Sequence, residues 1–389
     1  MAGWRERIYN GYVGYWAPLA LLAFLTGMFW IGDRSLYHKL YYATLALPTL
    51  LVALVSPVRF LHQLRQPYLV LFLVFSLYVM LSLSWSPEQN YSKLKQPLYV
   101  LMLLLAVGAM AEHDMRRLVQ CVALAAVFAS LFALITMLMY GMDENRPERL
   151  EGMGALYNPL LTTHVYGFFT VMAMGALVTS RRYFAVKLSM FVVLLCLLFL
   201  TGSRTPLLAL LVCVGWLVLL LGDRRVVVLA AVVSLAIMLG FWGLDYNPLE
   251  RGLSYRPFIW QDAWRQTLPV LWLGHGYDAS IDIYLPDLDY LLADTHNLTL
   301  GVIYQTGLVG GVMWLSLYVY GFSQAWRYRS SGLVIISSVL LVYGFVAGMT
   351  EGSAFMSRPK EHWFIIWIPI ALHFAVLRKV GTGMKGVSA

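Results

Sequence analysis

The chain has 389 residues, 60% of them hydrophobic and 12% charged, with a formal net charge of +8. Soluble domains carry roughly 25% charged residues, so a soluble globular enzyme is excluded, as is a disordered chain, which needs low hydrophobicity and high charge. A mean hydropathy of +0.69 leaves an all-α polytopic membrane protein, whose apolar side chains face lipid as well as a core.

Met1 to Tyr15 is short, polar and basic, and many apolar runs follow it. It reads as the approach to a first span, not as a cleaved signal. A span needs about 20 mostly apolar residues. On that criterion twelve spans are expected, over 16–32, 36–56, 67–84, 97–111, 118–140, 160–180, 184–201, 205–221, 226–244, 297–320, 332–350 and 362–378. The fourth is short. The seventh and eighth are separated by almost nothing around Arg204. Twelve spans put both termini on one side. Sixteen of the 28 Lys and Arg fall on that side with four acidic residues, against twelve and sixteen opposite. The basic excess marks it as cytoplasmic. The positive charge is thus a topology signal, and a nucleic-acid partner is not needed to explain it. The 13 Trp and 24 Tyr suit two membrane–water interfaces. Cys121, Cys196 and Cys213 lie in apolar runs and read as small apolar fillers.

The chain divides into spans one to nine (1–244), a large outer loop (245–296) and spans ten to twelve with a tail (297–389). Long loops without linker composition are usually functional. Within this one, Pro257 to Leu268 reads as a short helix. Pro257 suits its first position and Pro269 ends it. Trp260 and Trp264 share a face by i,i+4 spacing, which fits a helix lying at the membrane interface. A second, shorter outer segment runs from Gly141 to Pro159.

Three residues stand out chemically. Arg204, in Thr201-Gly202-Ser203-Arg204-Thr205-Pro206, lies at or near membrane depth, where charge is costly and functional by default; the alternative is a side chain snorkelling to the interface. Arg256, at the mouth of the loop helix, combines a guanidinium suited to phosphate with the free N–H groups of a helix start, or it is a solvated loop arginine. His296, where the loop re-enters the membrane, can act as a base near neutrality, or simply hydrogen-bond at the interface. Together they suggest an anionic substrate, such as a pyrophosphate, and removal of a proton. His164 and His275 are plausible supports, whereas His38 and His362 read as interfacial. Arg146 and Arg149 could touch phosphate, but balancing Glu144, Glu148 and Glu151 is the favoured reading. Lys93 and Lys95 read as ordinary loop lysines. Glu351 and Arg358 can pair. Asp282, Asp287, Asp289 and Asp294 could ligate Mg²⁺ or Ca²⁺, but a solvated acidic face explains their spacing as well. No Walker A, GxSxG, HExxH or CxxC arrangement occurs.

Three local motifs then carry a resemblance. They are Leu200-Thr201-Gly202-Ser203-Arg204 ending a span; Tyr255-Arg256 through Trp260, followed by Leu273-Gly274-His275-Gly276-Tyr277; and His296-Asn297 with Gly307 through Gly311. In this order and sidedness the chain resembles the O-antigen ligase and polymerase family of bacterial membrane glycosyltransferases, best over about 140–320. The resemblance implies a GT-C-like fold of about twelve helices in the inner membrane, a periplasmic site, and no metal or other cofactor. It implies transfer of a glycan from undecaprenyl pyrophosphate to lipid A–core, within lipopolysaccharide biosynthesis. Arg204 and Arg256 would hold the pyrophosphate and His296 would assist the acceptor. Arg149, His164, Arg265, Tyr255 and Asn297 would support them. The single dominant outer loop favours a ligase over a polymerase acting on lipid-linked repeat units. Transfer to protein hydroxyls is a third option. An anion transporter is disfavoured, since no repeat and no carboxylate deep in a span is found.

Overall fold

The computed structural model describes residues 2–243, 255–286 and 289–381. Leu244, loop residues 245–254 with Ser254, Asp287 and the tail from 382 lie outside the described residues.

Each of the twelve expected segments is helical. Among the described residues, eight helices are long and apolar enough to cross a membrane: Gly3–Trp30, Arg34–Val55, Pro67–Trp85, Tyr91–Met142, Pro159–Thr179, Arg204–Leu221, Leu298–Arg327 and Glu361–Gly381. Phe184–Leu200 and Gly332–Gly348 are shorter apolar helices, and Arg224–Gly243 covers the ninth segment. The fourth and fifth segments form one helical run, broken where Asp114 leaves helical geometry at φ −154° and ψ 97°. Asp114 Oδ1 then accepts from the backbone N–H of Arg116 and Arg117, as an N-cap does for the helix that follows.

Large apolar side chains divide between two environments. Trp314, Trp363, Trp367, Tyr37 and Phe24 are fully buried, whereas Leu54, Leu77 and Val312 on the long helices are more than half exposed. Exposed leucines along apolar helices are lipid-facing surface. Lipid tails are as apolar as leucine, so packing and hydrogen bonds between helices hold the bundle, not expulsion of water. Cys196 also lies on an exposed face, whereas Cys121 and Cys213 are buried; the filler reading holds for those two.

The loop helix forms at Arg256–Thr267 with Pro257 in its first turn. It does not lie free at the interface. Ile259 and Ala263 pack with Ile281, Ile283, Leu285 and Tyr304 in a small core of their own. The sequence pattern missed a hairpin there, in which Ile283–Leu285 pairs antiparallel with Tyr290–Leu292. Three-residue strands are too short to show a period of two.

The loop also plugs into a broken span. Inside the Leu298–Arg327 helix, Gly307 adopts φ 65° and ψ −171°. The freed backbone is satisfied by the loop. His275 and Gly276 N–H donate to the carbonyls of Tyr304 and Gln305, and Leu308 N–H donates to Leu271 O at 2.8 Å. A Cβ on Gly307 would meet Trp272 O at 2.2 Å, so only glycine fits. The Gly274 motif and the Gly307 motif are two sides of one joint.

Candidate active site

The helix Phe184–Leu200 ends and, after three intervening residues, Arg204–Leu221 begins. Gly202 at φ 60° makes that turn. Arg149 Nε donates to Thr201 O at 2.7 Å, and Leu150 N–H donates to Leu200 O at 3.0 Å. Arg149 is therefore fastened to the turn that precedes Arg204, whereas its spacing suggests charge balance with nearby glutamates and the resemblance implies a supporting role. Arg204 opens its helix, where unsatisfied N–H groups and the positive dipole end lie. Next to it, the buried Ser203 hydroxyl has no hydrogen-bond partner among the described residues.

Thr205 carries the turn to a third segment, its hydroxyl lying 3.0 Å from that of Thr350. The same Thr350 offers its carbonyl to Arg256 Nε at 3.0 Å. Arg256 Nη2 donates to Glu351 Oε1 at 2.6 Å. The segments holding Arg149, Arg204 and Arg256 thus meet at Thr350-Glu351. Arg358, the partner expected for Glu351, is exposed and instead lines a neighbouring cavity. Burial pushes the Glu351 carboxyl up from 4.5 to about 7, and the Arg256 pairing only partly opposes this.

His296 sits in a left-handed conformation, φ 46°. A non-glycine residue there costs about 1–3 kcal/mol. Its surroundings impose the strain. His296 N–H donates to Asp294 Oδ1 at 2.7 Å, Thr295 Oγ1 donates to Asn297 O at 2.8 Å, and Asn297 caps the next helix by accepting from Leu300 N–H. Such strain clusters at functional positions. Burial lowers the His296 pKa; Asp294 raises it and Arg256 lowers it further. His296 is thus within electrostatic reach of the arginine group, and its imidazole is neutral at neutral pH.

The acidic residues do not act as one face. Asp294 orders the His296 turn, and Asp289 accepts from Tyr284 Oη at 2.9 Å. Among the described residues no group of three or more His, Cys, Asp or Glu could hold a metal ion. Asp294 and Glu351 were missed as site residues because their signal is tertiary. A buried carboxylate cannot be told from a solvated one by spacing.

The other candidates fall on both sides of the line. His164 and His362 are buried together, ring centroids 5.3 Å apart; His362 is thus interior, not interfacial. They adjoin the ion pair of Arg34 with buried Glu361, 2.6 Å apart. The run Lys360-Glu361-His362 abutting an apolar span was the signal available in the sequence. His275 stacks on Tyr304 at 4.4 Å and bonds Gln266 O, which is a structural duty. Tyr255 precedes the loop helix at its N-cap position, with no capping hydrogen bond from its side chain. Arg265 is exposed in that helix's last turn, roughly 14 Å along the axis from Arg256 at the usual rise per residue.

These features define a class: a polytopic helical membrane protein with arginines, a buried carboxylate and a strained histidine gathered at one end. Residues 189–315 match the family model described as O-antigen ligase. The chain is also 46% identical over 364 residues to an O-antigen ligase of Pseudomonas aeruginosa, covering 92% of this chain and 90% of that one. The chain belongs to the O-antigen ligase family, and is a glycosyltransferase-type membrane enzyme.

Proposed function

We propose that the protein transfers a glycan from undecaprenyl pyrophosphate to a hydroxyl of lipid A–core on the periplasmic face of the inner membrane. In this reading it has about twelve spans in a GT-C-like arrangement, with both termini cytoplasmic. The observation that carries the reading is the meeting of Arg149, the Arg204 helix start and Arg256 at Thr350-Glu351, with His296 in electrostatic reach.

The chemistry follows from the donor. A polyprenyl pyrophosphate is already a good leaving group. Arg204 and Arg256, with Arg149 in support, stabilise the charge that develops as the anomeric C–O bond breaks and its electron pair moves to the pyrophosphate oxygen. The acceptor hydroxyl oxygen forms the new bond to the anomeric carbon, and its proton passes to neutral His296. A positioned base of this kind contributes roughly 10²–10⁴-fold. Direct attack inverts the anomeric centre. No general acid, nucleotide or metal is invoked.

The test is reconstitution of purified protein with undecaprenyl-pyrophosphate-linked glycan and either lipid A–core or a second lipid-linked glycan, without added metal or ATP. Glycan on lipid A–core, lost in His296→Ala and Arg256→Ala, is the expected outcome. Chain growth on the polyprenyl carrier would make the protein a polymerase. Transfer in full by His296→Ala would remove the base.

A further inference from the structure

A cavity of 440 Å³ opens beside the His296 turn, yet none of Arg149, Arg204, Arg256 or His296 lines it. It is formed by the segment after Asn90, the Tyr277–Ile281 stretch, the Gly301–Gln305 face of the broken helix and the Ser353–Lys360 loop. Its volume lies within the roughly 300–1,000 Å³ of small-molecule sites. Its charge is one-sided. Lys93, Lys95, Arg358 and Lys360 line it against a single carboxylate, Asp278, which is held by Lys93 at 2.7 Å. Three cations therefore remain without a carboxylate of their own in the wall.

Two wall groups point to a ligand. Lys360 is half-buried, and burial lowers its pKa against the opposing pull of Glu361 and Asp294; no ion pair holds it among the described residues. The Ser357 hydroxyl, 7% exposed, has no hydrogen-bond partner among the described residues. The loop carrying both is rigidly placed, since Trp367 Nε1 donates to Phe355 O at 2.9 Å and Trp363 Nε1 to Ser357 O at 3.3 Å.

The position is informative. Thr295 lines the cavity, and the next residue is His296. Asp294 acts electrostatically on both Lys360 and His296. His296 is thus within electrostatic reach of Arg256 and one residue from a lysine-lined cavity. The wall is polar, which does not suit a polyprenyl tail.

We propose that this cavity is the acceptor subsite and that it binds a phosphorylated saccharide next to the sugar whose hydroxyl is glycosylated. The proposal rests on the ligase reading above. Lys95, Arg358 and Lys360 hold the anion, Ser357 donates to it, and the reacting hydroxyl is thereby brought to His296. The cavity sets which acceptor is used and leaves the pyrophosphate to the arginines.

The test uses the full-length enzyme in phosphatidylcholine nanodiscs, with undecaprenyl-pyrophosphate-linked glycan as donor. The acceptor is lipid A–core, either with its phosphates intact or after their chemical removal. Lys95 and Arg358 are exposed, so the Lys95→Gln/Arg358→Gln double variant keeps the fold. Its KM for the phosphorylated acceptor is expected to rise about tenfold, as for loss of a charge-assisted contact, with kcat and donor KM unchanged. Wild type should prefer the phosphorylated acceptor, and the variant should lose that preference. Equal KM values for the two acceptors in wild type would overturn the subsite while leaving the ligase reading intact. A raised donor KM in the variant would also overturn it, by placing the donor's charge in the cavity. Competition by added phosphatidylglycerol would assign the cavity to a lipid headgroup instead. No product from wild type with either acceptor would refute the ligase reading, and the subsite with it.

Discussion

Glu351→Gln separates the two forces acting on the carboxylate at the centre of the site. Glu351 is 5% exposed and lies 2.6 Å from Arg256, yet burial outweighs the pairing and raises its pKa from 4.5 to about 7. A change of that size corresponds to about 3 kcal/mol against the charged form. Desolvation exceeding the Coulombic gain is the general behaviour of buried ion pairs. Because the folded-state value is raised, folding favours the protonated acid. That contribution is whole below about 4.5 and is lost as pH climbs through about 7. Glutamine keeps the shape and an oxygen for Arg256 but cannot ionise. Thermal unfolding of purified protein between pH 4.5 and 8.5 reads the difference. The wild-type midpoint should fall relative to the variant across this range, by a few degrees for about 3 kcal/mol. Parallel curves would refute the dominance of burial over pairing. A wild type that gains on the variant as pH rises would show that the ion pair wins.

His296→Ala should lower transfer roughly 10²–10⁴-fold while donor binding persists, measured as turnover beside retention of labelled donor. The acid limb of the wild-type pH–rate profile should lie below the ordinary histidine value of 6.5. Asp294→Asn removes a carboxylate that favours the imidazolium, so the limb should move further down; an upward shift would contradict the geometry. Gly307→Ala puts a Cβ 2.2 Å from Trp272 O at φ 65° and should cost at least about 3 kcal/mol, seen as lost yield of folded protein. Arg34→Gln leaves Glu361, whose side chain is 1% exposed, without its cation. A loss of about 3 kcal/mol is expected, read as a lower unfolding midpoint with no change in donor KM.

Much of the helical layout was legible because it is written in local chemistry. Apolar run length marks a span. Pro57, Pro67, Pro159 and Pro257 each sit in a first helical turn, where proline's missing N–H is no loss. The Gly202 turn and the Gly307 joint were visible as motifs, but not as contacts. Arg204 stands out in the sequence by the cost of charge near membrane depth, Arg256 by a guanidinium at a helix start, and His296 by an imidazole that titrates near neutrality. Charge spacing points Arg149 at nearby glutamates and only the resemblance gives it a supporting role, because its partner Thr201 O is a backbone atom that no charge pattern can announce. Glu351 was assigned the wrong arginine because a neighbour in sequence is easier to name than Arg256, 95 residues away.

By itself the sequence determined that this is a helical membrane protein, where its helices lie, which ends carry the basic excess and which motifs it shares with a family. Those properties depend on side chains within one or two turns of each other. Only the tertiary structure decided that the Thr201 turn, Thr350-Glu351 and Arg256 meet, that Asp294 orders the His296 turn, that His164 and His362 share the interior, and that four cations gather round one cavity. Each depends on hydrogen bonds and burial between segments far apart in the chain. A carboxylate or lysine has the same pattern in sequence whether it faces water or is enclosed. Burial alone separates the two, and burial belongs to the packed bundle.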